Sequence, residues 1–303
     1  MTEDLKRSRI RLVILTAIAL VAFAGNSVLC RLALKGDLIA ADLFTVIRVG
    51  TGTLALALYL ALQQKGREVW RQGDWRGAGF LALYMLAFSW AYLGLDTGPG
   101  ALILFGAVQV TMVGWAAVQG ERPSPLQLLG LVIALGGLVR LLIAPGTQAP
   151  PLGAAATMTA AGIGWAGYTL LGKGAKEPVQ KTAGNFLKAL PFVFIPLLLP
   201  RTSLMVTVEG VLLASASGVL ASAAGYAIWY AVLRSLSSTR AAALQLLVPV
   251  LAAVGGLLFS GEELTLRLLL SSTLVLGGVG LVLRGKMASK STDRVVLNDT
   301  EKK

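Results

Sequence analysis

The sequence contains no histidine and a single cysteine, Cys30. Without histidine, the chain has no imidazole for a proton relay or for a histidine-based metal site. One cysteine excludes an intramolecular disulfide bond. We also find no phosphate-binding loop, no pair of catalytic acids and no nucleophile with a base. We therefore predict no cofactor, no metal and no enzymatic reaction.

Charged residues are scarce as well, at 14% of the 303 residues, whereas 55% are hydrophobic. Soluble domains carry about 25% charged residues, so this composition indicates a membrane protein. Apolar runs of about twenty residues, enough to cross a hydrocarbon core of roughly 30 Å, recur along the whole chain. The strands of a membrane barrel alternate in polarity, and these runs do not. The sequence predicts an all-α membrane protein with ten transmembrane helices, at 11–33, 40–63, 75–95, 98–119, 125–144, 151–172, 182–199, 209–233, 237–259 and 264–284.

Lysine and arginine are unevenly divided between the connecting segments. If the N-terminus is inside, the outer segments hold only Arg31, Lys35, Arg140, Arg201 and Arg267. The other loop and tail cations then lie on the inner side, as is typical of cytoplasmic loops. We predict a multi-pass protein of the bacterial inner membrane, surrounded by the lipid bilayer, with both termini in the cytoplasm. The net charge of +12 then mostly reflects topology, and nucleic acid is not an expected partner. The sequence leaves the oligomeric state open.

The first apolar run has an alternative interpretation as a cleaved signal peptide. Arg9 and Arg11 precede a run that contains "AFA" at residues 22–24. The run continues past Ala24 to Leu34, beyond the usual apolar length of a signal peptide. A similar segment also occurs at the start of the second half of the chain. We therefore expect the first helix to be retained.

Two segments of the chain carry the same glycine pattern. "QGERPSPLQLLGLVIALGG" at 119–137 and "SGEELTLRLLLSSTLVLGG" at 260–278 each have Gly-Glu and, sixteen residues later, Gly-Gly. Five predicted helices precede the proline-rich segment 144–153 and five follow it. Because five is odd, the second copy enters the membrane from the opposite side. We predict an inverted repeat of residues 1–147 and 148–303, with a cytoplasmic tail from residue 285. An old duplication retained only for packing is the alternative.

The repeated pattern resembles a known transporter family. The order of these features is similar to the EamA repeat of the drug/metabolite transporter superfamily. Arg48 lies in the second helix, and it is followed by a helix that ends in Gly-Glu and then by a helix that carries Gly-Gly. Lys188 occupies the place of Arg48 in the second half. The chain departs from the family pattern at Val108, where proline is common, although the equivalent Pro249 is present.

This resemblance implies a ten-helix carrier that works by alternating access through a central cavity. Its expected substrates are small neutral metabolites, and similarity to bacterial exporters of aromatic amino acids makes those the first candidates. A membrane scaffold or assembly partner that transports nothing is the alternative from another functional class.

Aromatic and amide side chains at mid-depth are candidate substrate contacts. Aromatic walls suit ring-bearing ligands, and ligand pockets combine an apolar lining with a few polar groups. Aromatic residues near helix ends, such as Trp75, Tyr92 and Tyr230, are instead expected to be interfacial anchors. The candidate substrate-binding residues are Asn26, Tyr84, Phe88, Gln109, Trp165, Tyr168, Tyr226, Trp229 and Gln245.

Three residues, Gly25, Gly164 and Pro249, are candidate hinges, because they weaken a helix near the midplane. Arg48 and Lys188 are the two cations expected within the membrane. Either could meet a substrate carboxylate, but we favour snorkelling, in which the long side chain reaches the interface, or a packing role. No carboxylate is predicted in the membrane interior, where ion-coupled carriers usually place one. We therefore expect transport without coupling to protons or sodium through a buried acid.

Overall fold

The computed structural model describes residues 3–67, 71–120, 124–143, 150–199, 205–236, 241–242 and 244–285. This part of the chain is helical throughout, apart from connecting segments, and contains ten long helices. They are α1 (Glu3–Lys35), α2 (Ala41–Leu62), α3 (Trp75–Ala91), α4 (Thr97–Val118), α5 (Pro125–Ile143), α6 (Leu152–Gly172), α7 (Pro178–Phe194), α8 (Val208–Leu233), α9 (Leu247–Phe259) and α10 (Leu266–Arg284).

Four stretches are long and apolar enough to cross a membrane. They are Ile10–Lys35, Ala41–Leu62, Thr97–Val118 and Val208–Leu233. Shorter apolar stretches occur in α5, α9 and α10. α3 and α7 have 17 residues each, slightly below the roughly twenty that span a typical bilayer. The all-helical class is thus observed, with four candidate spans by length and composition, while the full count of ten spans stays a prediction.

Prolines lie at both ends of α7. The predicted span 182–199 is observed as Pro178–Phe194, followed by a 3₁₀ helix at Ile195–Leu198. Pro178 suits the first turn, because the N–H that it lacks would have no intrahelical partner there. Pro196, which cannot donate a backbone hydrogen bond, lies at the change to the 3₁₀ helix, whereas Pro191 is accommodated within α7.

Two predicted helices contain irregularities that apolar periodicity does not reveal. α8 is α-helical over Val208–Ala216, π-helical over Ser217–Ala224 and α-helical again over Gly225–Leu233. The expectation of a continuous helix from 237 to 259 is wrong, because Gln245 and Leu246 form a turn. Pro249 has no N–H to donate to the Gln245 carbonyl, which accepts from the Val248 N–H at 3.1 Å instead.

The helices of the two predicted halves pack mainly against each other. α2 packs on α7, α4 on α9 and α5 on α10, each pair joining helices of equivalent rank in the two halves. The remaining main contacts between helices also come in equivalent pairs. The contact of α3 with α6 corresponds to that of α8 with α1, the contact of α4 with α6 to that of α9 with α1, and the contact of α2 with α8 to that of α7 with α3. The pattern is unchanged when each helix is exchanged for its counterpart. The halves therefore interdigitate rather than fold as separate units.

The repeated Gly-Gly pairs lie where α5 crosses α10. A side chain on Gly137 would collide with the carbonyl oxygen of Ser271, and one on Gly278 with that of Gly130. Gly137 and Gly278 are equivalent at the 141-residue offset, as are Gly130 and Ser271, so the contact is reciprocal. Small residues let helix backbones approach closely in lipid. The second glycine of each pair thus has a packing role at this crossing.

Candidate functional site

A fully buried arginine lies between α2, α3 and α8. Arg48 has no exposed surface, and its Nε donates to Ser222 Oγ at 2.8 Å. Its Nη2 donates to the hydroxyls of Tyr226 at 2.6 Å and Tyr84 at 3.2 Å. Its Nη1 has no hydrogen-bond partner among the described residues. The expectation that Arg48 reaches an interface is therefore wrong, because hydroxyl groups from α3 and α8 hold the guanidinium inside the bundle.

Neutral groups surround the charge of Arg48. The guanidinium carbon lies 5.3 Å from the Tyr84 ring centroid and 5.2 Å from that of Phe88. Such cation–π contacts contribute about 0.5–2 kcal/mol each. The ion pairs found within the described residues involve Arg31 and Lys181, and none involves Arg48. Removing an unpaired ion from water costs several kcal/mol, and the hydroxyls and ring faces are the groups that offset this cost.

The π-helical turn of α8 directs two serines towards this arginine and its neighbours. Ser222 accepts from Arg48, and Ser217 donates to Asn26 Oδ1 on α1. Residues five apart lie on one face in a π-helix, because its hydrogen bonds run from i to i+5. In an α-helix of 3.6 residues per turn they would diverge. Asn26 Nδ2 in turn donates to the Tyr84 hydroxyl at 3.1 Å, which closes the network.

Aromatic rings enclose the polar network. The ring centroid of Trp165, on α6, lies 4.7 Å from that of Tyr226 and 5.1 Å from those of Tyr84 and Phe23. Trp165 Nε1 donates to Gln245 Oε1. Gln245 occupies the turn before α9, so the interruption of that helix places its amide against the indole.

Three further rings extend this wall. Tyr168 stacks on Tyr230 with centroids 4.9 Å apart, and Trp229 packs edge-on against Phe23 at 5.6 Å. Tyr230 and Tyr92 are both fully buried, so their expected role as interfacial anchors is wrong. We call the following set of residues the central cluster: Phe23, Asn26, Arg48, Tyr84, Phe88, Trp165, Tyr168, Ser217, Ser222, Tyr226, Trp229, Tyr230 and Gln245.

A group of charged residues lies at one end of the bundle. Arg31 Nη2 donates to Asp96 Oδ1 at 2.7 Å, and Arg31 Nε lies 3.7 Å from Glu262 Oε1. Glu262 accepts from the Thr97 backbone N–H at 2.9 Å and from its hydroxyl at 2.6 Å. Thr97 begins α4, and the positive end of a helix dipole stabilises a carboxylate there. We call Arg31, Asp96, Thr97 and Glu262 the clasp; it joins α1 to segments from both predicted halves.

The clasp gives the second Gly-Glu motif a structural role, since its glutamate is Glu262. The corresponding Glu121 of the first motif lies outside the described residues.

At the opposite end, the segment before α3 is bound to α7. Lys188 Nζ donates to the carbonyls of Gln72 at 3.1 Å and Gly73 at 2.9 Å. Asn185 Oδ1 accepts from the Asp74 N–H at 2.9 Å. Lys188 therefore anchors a connecting segment, in agreement with the packing role favoured for it, and differs in this from Arg48.

Comparison with known proteins identifies the family. The sequence profile of the EamA-like transporter family matches residues 152–284, within the predicted second half. An uncharacterized protein of Pseudomonas aeruginosa is 48% identical over 91% of this chain and 96% of its own length. The chain belongs to the EamA-like transporter family. It is therefore a membrane transporter of the drug/metabolite transporter superfamily.

Two more distant relatives carry functional names. Proteins of Salmonella typhimurium and Escherichia coli, each named a probable amino-acid metabolite efflux pump, are 28% and 26% identical to this EamA-like transporter. These matches cover 61% and 65% of this chain, and 67% and 71% of the relatives. A crystal structure of another protein superposes with a TM-score of 0.62 at 18% identity, over 88% of this chain and 97% of that one. That likeness shows the fold alone.

In this EamA-like transporter, all the predicted substrate contacts except Gln109 fall in the central cluster. Gln109 on α4 is buried, and neither atom of its amide has a partner among the described residues. No described contact links Gln109 to the cluster. The predicted substrate contacts do not include five members of the cluster: Phe23, Arg48, Ser217, Ser222 and Tyr230. For Arg48, the signal in the sequence is an isolated arginine in an apolar helix. The same pattern is also typical of a side chain that extends to the membrane interface.

The three candidate hinges lie in different surroundings. A side chain on Gly164 would come within 2.8 Å of the Tyr84 backbone nitrogen, so this glycine permits close packing of α6 on α3. Gly25 faces open space beside an apolar groove between α1 and α9. Pro249 lies just after the turn at Gln245. Bending at any of the three stays a prediction.

Proposed function

We propose that this EamA-like transporter exports small ring-bearing metabolites, with aromatic amino acids as the first candidates, by alternating access around the central cluster. The observation that carries the proposal is the composition of that cluster. Aromatic rings form its wall, and a buried guanidinium with hydroxyl and amide neighbours lies within it. An apolar wall with a few placed polar groups is the usual make-up of a site for an amphipathic small molecule.

The location of the cluster supports a carrier mechanism. Its residues come from α1, α2 and α3 of the first predicted half, and from α6, α8 and the turn before α9 of the second. Inverted-repeat transporters hold substrate at the interface between their repeats. The matched helix contacts and the reciprocal glycine crossing support an inverted repeat of 1–147 and 148–303. In our proposal, helices of the two interdigitated halves rock or bend around the cluster.

The two ends of the bundle supply the gates in this mechanism. Opening the clasp around Arg31 and Glu262 would give substrate access to the central cluster from one side of the membrane. Releasing the hydrogen bond from Lys188 to the Gly73 carbonyl would give access from the other side. From the uneven distribution of lysine and arginine we infer an orientation in a bacterial inner membrane. In this orientation the clasp faces the periplasm and both termini face the cytoplasm.

The same cluster supports transport without ion coupling. Coupled carriers usually bind the driving ion on an ionisable group within the membrane. Within the described residues, the central cluster contains no aspartate or glutamate. Substrate would therefore move down its own electrochemical gradient. Cellular metabolism would set the direction of flux for a substrate without net charge, and the membrane potential would contribute for a charged one.

Uptake of radiolabelled phenylalanine into proteoliposomes tests the proposal. We expect saturable uptake that unlabelled tryptophan inhibits and that protein-free liposomes lack. Trp75→Ala serves as a matched control, because this indole is 60% exposed and lies outside the cluster. Uptake equal to that of protein-free liposomes, with monodisperse protein, would favour the scaffold alternative.

A further inference from the structure

The guanidinium of Arg48 has an unused donor in the middle of the central cluster. Arginine carries five N–H donors in a planar fork. The Nε and Nη2 groups of Arg48 reach Ser222, Tyr84 and Tyr226, while Nη1 has no partner among the described residues. Because Arg48 is completely buried, that donor has no access to bulk water either.

The groups already bonded to Arg48 are all neutral. Hydroxyl oxygens accept its hydrogen bonds, and ring faces lie at 5.2–5.3 Å. None of the ion pairs in the described part of the chain involves it. The cluster thus holds one positive charge and no negative charge to balance it.

This balance favours a single negative charge on the bound molecule. A carboxylate matches the geometry of a guanidinium, and with Arg48 it makes a pair with no net charge. A phosphate dianion would leave an excess negative charge among aromatic rings. An ammonium group would lie near a like charge, and the described cluster offers it no carboxylate partner.

We propose that Arg48 Nη1 binds the carboxylate of the substrate, and that the central cluster selects ring-bearing monocarboxylates over zwitterionic amino acids and neutral analogues. This inference rests on the proposed function, since it assigns a charge class to the same site. Aromatic amino acids bind through their carboxylate, and their ammonium group weakens binding.

A matched set of ligands separates the contributions of the two charged groups. Phenylalanine, hydrocinnamate, phenylalaninamide and hydrocinnamamide share one ring and one chain length, and carry net charges of zero, minus one, plus one and zero. Binding to the purified full-length chain is measured by isothermal titration calorimetry in detergent. We expect hydrocinnamate to bind about ten- to hundredfold more tightly than hydrocinnamamide, the range for hydrogen bonds to charged groups. We expect phenylalanine to lie between them and phenylalaninamide to bind weakest.

Substitution of Arg48 tests its direct contact with the ligand. Arg48→Gln should bring the acid-to-amide affinity ratio close to one, whereas Arg48→Lys should preserve a preference for the acid. A merely structural role for Arg48 would lower both affinities equally and leave their ratio unchanged. Arg234→Gln is the control, because Arg234 is exposed and makes one long hydrogen bond, to the Lys176 carbonyl at 3.4 Å. If the Arg48 variants fail to fold, the wild-type ligand series decides alone.

The outcomes distinguish the inference from the proposed function. Equal binding of hydrocinnamate and its amide, or tighter binding of phenylalanine than of hydrocinnamate, would overturn the inference while phenylalanine transport still stood. Absence of binding by all four ligands, together with absence of phenylalanine transport, would instead overturn the proposed function and the inference with it.

Discussion

Replacing Glu262 by glutamine should open the clasp end of the transporter. The carboxylate accepts hydrogen bonds from the backbone N–H and hydroxyl of Thr97 and lies 3.7 Å from Arg31 Nε. Glutamine keeps one acceptor oxygen but loses the negative charge at the start of α4. Charge at a helix end and a partly buried ion pair together contribute about 1–2 kcal/mol. That loss corresponds to a five- to thirtyfold larger fraction of molecules open at this end.

The single cysteine provides the readout. Cys30 precedes Arg31 on α1 and has no exposed surface in this closed conformation. A membrane-impermeant maleimide should therefore label wild-type protein slowly, and Glu262→Gln should raise the labelling rate about five- to thirtyfold. Glu263→Gln is the matched control, because the adjacent Glu263 is exposed. Equal labelling rates for Glu262→Gln and the control, in folded protein, would refute the assignment of the clasp as a gate.

Three further predictions follow from the same site and topology. Trp165→Ala and Tyr84→Ala should each weaken phenylalanine transport by up to about tenfold, since an aromatic contact contributes roughly 0.5–1.5 kcal/mol beyond burial. Unchanged transport in both variants would locate the site elsewhere. A fluorescent-protein fusion at Lys303 should be bright and a phosphatase fusion inactive, and the reverse result would overturn the topology. Under a potassium–valinomycin potential of about 100 mV, hydrocinnamate should accumulate about fiftyfold on the positive side while phenylalanine equilibrates, because one charge then gains about 2.3 kcal/mol. Accumulation of phenylalanine under an imposed pH gradient would show ion coupling instead.

The electrical prediction links the charge of the substrate to the direction of transport. An uncoupled carrier moves an anion towards the positive side of the membrane, which in a bacterium is the outside. Selection of monocarboxylates by Arg48 would thus make the transporter an exporter without any buried acid or driving ion.

Much of the helical architecture and of the aromatic wall could be predicted from the sequence. Apolar runs and their breaks are local signals, and they located the ten helices to within a few residues for most ends. The sequence predicts Tyr84, Phe88 and Trp165 as candidate substrate contacts because they are aromatic and lie at mid-depth, and the structure brings their rings into one cluster. The paired Gly-Gly motifs likewise indicated a duplicated element, and Gly137 and Gly278 lie at one reciprocal crossing.

The role of Arg48 could not be predicted in this way. An arginine at the eighth position of an apolar helix has the same local sequence whether its side chain reaches the interface or the interior. The difference depends on Ser222 and Tyr226, which are more than 170 residues away. Gly218 in the π-helical part of α8 packs closely on the Arg48 carbonyl, a contact between helices that the local sequence does not reveal.

Counterflow in proteoliposomes tests the central claim most directly, because it requires a binding site that faces the two sides of the membrane in turn. Vesicles loaded with unlabelled phenylalanine are diluted into a trace of labelled phenylalanine, and the internal label is followed with time. Alternating access around the central cluster predicts a transient accumulation of label above its external concentration, which Trp165→Ala reduces and Trp75→Ala leaves intact. Absence of any overshoot with both phenylalanine and hydrocinnamate, in vesicles that contain folded protein, would contradict the account.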